Sequence, residues 1–141
     1  MLGSAEQNKI AVTAFFAALS DARYDDAFAL TRPDGVIHLP QPRQTIPLRQ
    51  WRGVYESLMQ SQFPEGCRYQ LHGLLAEGDQ VSVRAESWAP MRTGGTYNNQ
   101  YHWLFRLAEG LIAECHEYLD TLYAHRTIHA NGWAGRSADA G

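Results

Sequence analysis

Apolar positions recur at two spacings along this chain, three to four residues apart in the first half and two apart in the second. Ile10, Ala14, Phe15, Ala18 and Leu19 share one helical stripe behind a Ser4/Gln7 capping box, which predicts a helix over residues 4–20. Asp21 is placed to cap a shorter helix carrying Tyr24, Ala27, Phe28 and Leu30. That helix should end before Pro33, because the residue preceding a proline avoids the α region. Asp34-Gly35 reads as a turn and residues 36–39 as a short strand, which Pro40 and Pro42 confine to a sheet edge or a cavity rim. Pro47 suits the first position of a third helix, in which Leu48, Trp51, Val54, Tyr55, Leu58 and Met59 keep the helical spacing.

From Arg68 the period is two. Tyr69, Leu71 and Leu75 alternate as far as Gly78-Asp79, residues 80–88 follow, and Gly94-Gly95 precedes two segments joined at Glu109-Gly110. In the first of these, Tyr97, Tyr101, Trp103, Phe105 and Leu107 alternate with Asn98, Gln100, His102 and Arg106. In the second, Leu111, Ala113, Cys115 and Leu119 oppose Glu114, His116 and Asp120. Glu117 breaks the pattern by standing on the apolar parity. If that face is covered, a carboxylate is held in an apolar enclosure and must find partners or shift its pKa. Three helices followed by four antiparallel strands give an α+β fold class, with the helices on one face of a curved sheet.

Composition narrows the picture without naming a function. At 141 residues, 45% hydrophobic and 19% charged, the chain reads as one globular domain over residues 1–130. The small, polar stretch 131–141 is expected to be a flexible tail. A net charge of −3 offers no basic field for a phosphate backbone, so no nucleic-acid partner is expected. No run of about 18 apolar residues points to a membrane, and the start MLGSAEQNK has no basic-then-apolar leader, so the expected location is cytoplasmic. Cys67 and Cys115 then read as buried thiols.

The order of elements, and above all YNNQYHWLFRLAEGLIAECHEYLDT over residues 97–121, resembles the nuclear-transport-factor-two-like superfamily. Within it the likeness is to the SnoaL-like branch of polyketide cyclases, ketosteroid isomerases and limonene epoxide hydrolase. It covers nearly the whole chain to about Tyr123. The resemblance implies a cone-shaped antiparallel sheet wrapped over the three N-terminal helices, with a pocket inside the cone. Arg84, Glu86 and Glu117 are similar to the Asp-Arg-Asp arrangement of limonene epoxide hydrolase, with Glu in place of both Asp residues. His38 falls near that family's water-positioning Asn, and Val36 stands where it carries a Tyr. A Glu at the position of Glu117 is also familiar from phenazine-biosynthesis relatives, where it resembles an acid/base.

Two readings of Arg84 and Glu86 stay open. Being two apart they share a strand face, so a guanidinium beside a carboxylate could organise an acid/base pair with Glu117. Yet Val81, Val83 and Ala85 occupy the other parity and would ordinarily be the buried set. If Arg84 points inward, those three need a cover, most simply a second copy, which predicts a homodimer through the outer face. The catalytic candidates are therefore Glu117, Glu86, Arg84 and His38. Trp88, Asn99, Tyr101, Cys115 and Leu119 are candidates for contact with a small hydrophobic molecule. No phosphate loop, nucleophile elbow or cofactor fingerprint occurs, so no cofactor is expected. His125 and His129 lack a third ligand, so no metal is expected either. The expected activity is cofactor-independent proton transfer serving isomerisation, cyclisation or water addition. The alternative is a non-catalytic binding or assembly module.

Overall fold

The computed structural model describes residues 4–128. Helix α1 (Ser4–Ser20) and the short α2 (Tyr24–Phe28) lead into β1 (Thr31–Pro40) and β2 (Arg43–Pro47). Helix α3 (Leu48–Gln62) precedes β3 (Arg68–Glu77), β4 (Gln80–Pro90), β5 (Thr96–Tyr97), β6 (Gln100–Ala108) and β7 (Leu111–Leu119), and α4 (Thr121–Ile128) closes the described chain. The proposed tail at 131–141 lies outside the described residues, and no helix within them is long and apolar enough to cross a membrane.

The strands form one curved, unclosed sheet in the order β2-β1-β7-β6-β4-β3, with β5 paired to β4. Strands β3, β4, β6 and β7 are antiparallel neighbours, as expected. The β1–β7 pair is parallel, which makes the sheet mixed. The β6–β7 turn at Glu109-Gly110 has positive φ at both residues, 54° and 79°, the geometry that suits a tight hairpin.

Several local expectations change, among them the face of Leu75, which an irregularity in β3 between Leu71 and Gly73 turns outward to 77% exposed while Leu74 takes the inner side. Asp21 does not cap α2; Arg23 holds that position, with no side-chain bond to the helix. Asp34-Gly35 is not a turn but lies inside β1. The pairing of β1 with β7 is interrupted between Thr31 and Val36, so the missing N–H of Pro33 breaks no ladder. Gly35 is needed because a Cβ there would stand 2.8 Å from Leu48 Cδ1 and 3.2 Å from the Ile112 carbonyl. The prolines do not put β1 at the edge either: Pro40 and Pro42 sit at the turn into β2, which folds back on β1 and takes the edge. Pro47 is the N-cap of α3 rather than its first turn.

The core lies between α1, α3 and the concave face. Helix α1 buries Val12, Phe15, Phe16, Ala18 and Leu19, and Phe16 meets Trp103 at 4.6 Å and Phe105 at 5.7 Å between ring centroids. Burying each such ring stabilises the fold by about 1.5–3 kcal/mol relative to exposing it. On β4 the residues turned into this core are Val81, Val83, Ala85 and Ser87, all buried. Ordinary burial of apolar side chains decided the register, and Arg84, Glu86 and Trp88 face out.

Candidate functional site

Strand β7 carries both kinds of chemistry on alternate residues. Cys115 and Glu117 point into the cone, while Glu114, His116 and Tyr118 point away from it. Glu117 is 7% exposed and lies opposite Trp103 of β6. It borders a cavity of about 70 Å³. From the sheet side the cavity is lined by Tyr69, Tyr97, Tyr101 and Leu119, and from the helical side by residues of α3 and α4 that include Tyr55, Met59 and Ile128.

Phenols dominate this enclosure. Tyr55 and Tyr69 share a hydroxyl–hydroxyl bond of 3.0 Å, and Tyr101 Oη lies 3.1 Å from Ser87 Oγ. Burial pushes all three phenols well above the ordinary tyrosine range. Tyr97 is raised to about 12, by burial first and by the nearby Glu117 charge as a lesser cause. Burial likewise lifts the Cys67 thiol to about 11. At neutral pH these groups are O–H and S–H donors around one carboxyl group.

The predicted residues divide unequally. Glu117, Tyr101 and Leu119 line the cavity. Cys115 faces inward but packs in a separate, nearly filled void with Phe15, Ile37 and Phe105, so it is a core thiol. Asn99 is 1% exposed and its amide is committed to structure. Its Nδ2 donates to Tyr97 Oη and the Asp120 carbonyl, and its Oδ1 accepts from Gln100 N–H. It does not line the cavity; it fixes the turn between β5 and β6 and aims Tyr97. Trp88 is 44% exposed on the outer face.

Arg84 and Glu86 do not join Glu117. Arg84 is exposed, and Glu86 pairs outside the cone with His72 Nε2 at 3.0 Å and Asn98 Nδ2 at 2.9 Å. With Val81, Val83 and Ala85 turned inward, the reason for covering them with a second copy falls away. His38 also faces out, because its register partner across the β1–β7 pair is His116. His38 Nε2 lies 2.6 Å from Glu114 Oε2 and its Nδ1 lies 2.7 Å from Thr45 Oγ1. That His38 bond, with help from Arg106, holds the Glu114 carboxyl below its usual range against a smaller effect of burial. His129, the proposed mate of His125, lies outside the described residues.

The sequence reading missed Tyr55, Tyr69, Ser87 and all of α4 as parts of the site. Tyr69 was legible as an inward position and Tyr55 as part of a helical stripe, but nothing local said that their hydroxyls meet. Helix α4 did have a signal. Asp120 Oδ1 accepts the Tyr123 N–H at 2.9 Å, an N-cap bond three residues ahead of an apolar run.

The SnoaL-like domain family matches residues 12–115. The chain belongs to the SnoaL-like family. A SnoaL-like polyketide cyclase candidate from Jannaschia sp. CCS1 superposes with a TM-score of 0.77 at 20% identity, covering 92% of this chain and 96% of its own. IdmH of Streptomyces antibioticus, another polyketide cyclase candidate, gives 0.75 at 20% identity over 89% and 97%. TerC, co-crystallised with polyporic acid, gives 0.76 at 17% identity over 87% and 98%. At these identities the likeness establishes the fold alone. No curated protein matches the sequence.

Proposed function

We propose that this SnoaL-like protein transfers a proton, without a cofactor, on a small hydrophobic carbonyl compound, with Glu117 as the acid/base. The observation that carries this reading is a 7%-exposed carboxyl group bordering a cavity otherwise lined by apolar and phenolic side chains. In such a site water is scarce and fixed donors act strongly on developing charge. The Glu117 carboxylate would take a proton from the carbon beside the substrate carbonyl. The C–H electron pair moves into the new C=C bond, and the carbonyl oxygen becomes an enolate. One phenolic O–H steadies that oxygen: since Tyr55 and Tyr69 share a single hydroxyl–hydroxyl bond, one of them keeps a proton to donate elsewhere. Returning the proton to a different carbon is isomerisation, and attack of the enolate carbon on a second carbonyl is ring closure.

Water addition is the less favoured of the three expected reactions, because the second acid and the guanidinium that would divide the labour, Glu86 and Arg84, stand on the far face. The cavity holds about 70 Å³. Sites for drug-sized ligands span roughly 300–1,000 Å³, so a ring-sized ligand, whether turned over or only bound, requires lining side chains to give way. Deuterium uptake at the α-carbons of conjugated cyclic ketones in heavy water, followed by NMR, tests the proposal. The wild type should accelerate exchange in a ketone that it binds. If it binds such ketones and exchanges none of them, it is a binding module.

A further inference from the structure

We propose that His38, Glu114 and His116 form a binding site for a divalent transition-metal ion of the zinc class on the outer face of the sheet. The site is independent of the proton-transfer reading, since all three side chains stand on the opposite side of the sheet from Glu117.

Topology brings the donors together. The parallel β1–β7 pair sets His38 directly opposite His116, and Glu114 precedes His116 by two residues, so all three share one face. The two imidazoles stack with centroids 4.0 Å apart and planes 12° from parallel. Both direct Nε2 at the same carboxylate oxygen: Glu114 Oε2 is 2.6 Å from His38 Nε2 and 3.6 Å from His116 Nε2. All three ligand atoms lie within 4.8 Å of one another. A tetrahedral ion with bonds of about 2.0–2.1 Å holds its donors roughly 3.4 Å apart. In the stack the two Nε2 lone pairs run nearly parallel, so the rings must tilt apart to converge on one ion, and the side chains have room to do so, being 27–36% exposed.

The surroundings already orient two of the three ligands. Thr45 Oγ1 engages His38 Nδ1 at 2.7 Å, the kind of partner that fixes the tautomer of a metal-bound histidine. Arg106 Nε donates to Glu114 Oε1 at 3.2 Å and leaves Oε2 turned toward the rings. When the ion enters between His38 and Glu114, the proton of a neutral His38 moves from Nε2 to Nδ1, where Thr45 Oγ1 accepts it. The Nε2 lone pair then binds the metal. Two imidazoles and one carboxylate suit zinc, cobalt or nickel rather than the oxygen-seeking magnesium and calcium. Three protein ligands leave the fourth position to water on the solvent side. The positive charge of Arg106 opposes the ion, so moderate affinity is expected.

Calorimetric titration of the untagged full chain with Zn²⁺, and visible absorption with Co²⁺, test the site. One equivalent should bind, with Co²⁺ giving the intense bands of a tetrahedral centre. His38→Ala, His116→Ala and Glu114→Gln should each weaken binding by at least about 100-fold, and Thr45→Val by about 10-fold. His72→Ala, His102→Ala and His125→Ala should bind as the wild type does. Because the three ligands are half-exposed, melting curves of the variants should stay close to wild type, separating lost binding from lost folding. Wild-type affinity in His38→Ala or His116→Ala, an equal loss in His72→Ala or His125→Ala, or no stoichiometric binding by the wild type would overturn the assignment.

Discussion

The two faces of β7 hold carboxylates in opposite conditions. Outside, Glu114 is met by His38 and Arg106, stays partly in water and is held below the usual carboxylate range. Inside, three residues further on, Glu117 is 7% exposed and sits among phenols that burial keeps protonated. The first arrangement pins a charge in place. The second sets a carboxyl group beside neutral donors, the arrangement on which the proposed acid/base role rests. Both glutamates belong to one strand and stand on opposite parities of it, so the difference comes from which way each side chain faces.

The largest effect that sharpens this contrast comes from neighbours on β4. Val83→Asp places a charge at a fully buried position and should cost about 4 kcal/mol or more. Arg84→Ala, one residue away and exposed, should stay within about 0.5 kcal/mol. Chemical denaturation of the pair reads the orientation directly, and equal costs would mean that the faces are misassigned.

The inner phenols give a pH signature. A tyrosine ionises near pH 10 in an unfolded chain, whereas Tyr97 is pushed up to about 12 and Tyr55, Tyr69 and Tyr101 are raised well above the ordinary range. Between those limits the unfolded state has lost protons that the folded state keeps, so stability falls as pH rises above about 10. Ultraviolet titration should show these four phenolates appearing together with unfolding. Full, reversible ionisation of every tyrosine near pH 10 in the folded protein would contradict the burial.

Smaller effects follow. Tyr55→Phe removes one side of a hydroxyl pair and should cost about 1 kcal/mol, measurable by the same denaturation. Gly53→Ala on α3 should stabilise by about 0.5–1 kcal/mol, since a Cβ there meets nothing within 4 Å. A loss would mean that the exposed flank of α3 is covered.

Much of this was legible because strand parity is a local property. The alternation from Leu111 to Leu119 was enough to place Glu117 inside, and the stripe of α3 read correctly, whereas on α1 Ile10 and Ala14 turn out to solvent and Val12 and Phe16 take the buried side with Phe15, Ala18 and Leu19. At β4 local parity also pointed the right way, with Val81, Val83 and Ala85 as the apolar set. Likeness to an enzyme with Asp-Arg-Asp suggested the reverse, and packing followed the apolar side chains. What no local pattern could supply were the meetings between distant segments. His38 and Glu114 are 76 residues apart and come together through a parallel strand pair. Tyr55 and Tyr69 meet across a helix and a strand. Strand β2 went unseen because its prolines read as breaks, when they mark its turn and its end.

The measurement that bears most directly on the account is the rate of α-carbon deuterium exchange in Glu117→Gln against wild type, with ketone binding measured alongside. The substitution keeps the size of the side chain and removes its basicity. Exchange should fall by at least about 100-fold while binding and fold persist. An unchanged rate in Glu117→Gln would contradict the acid/base role.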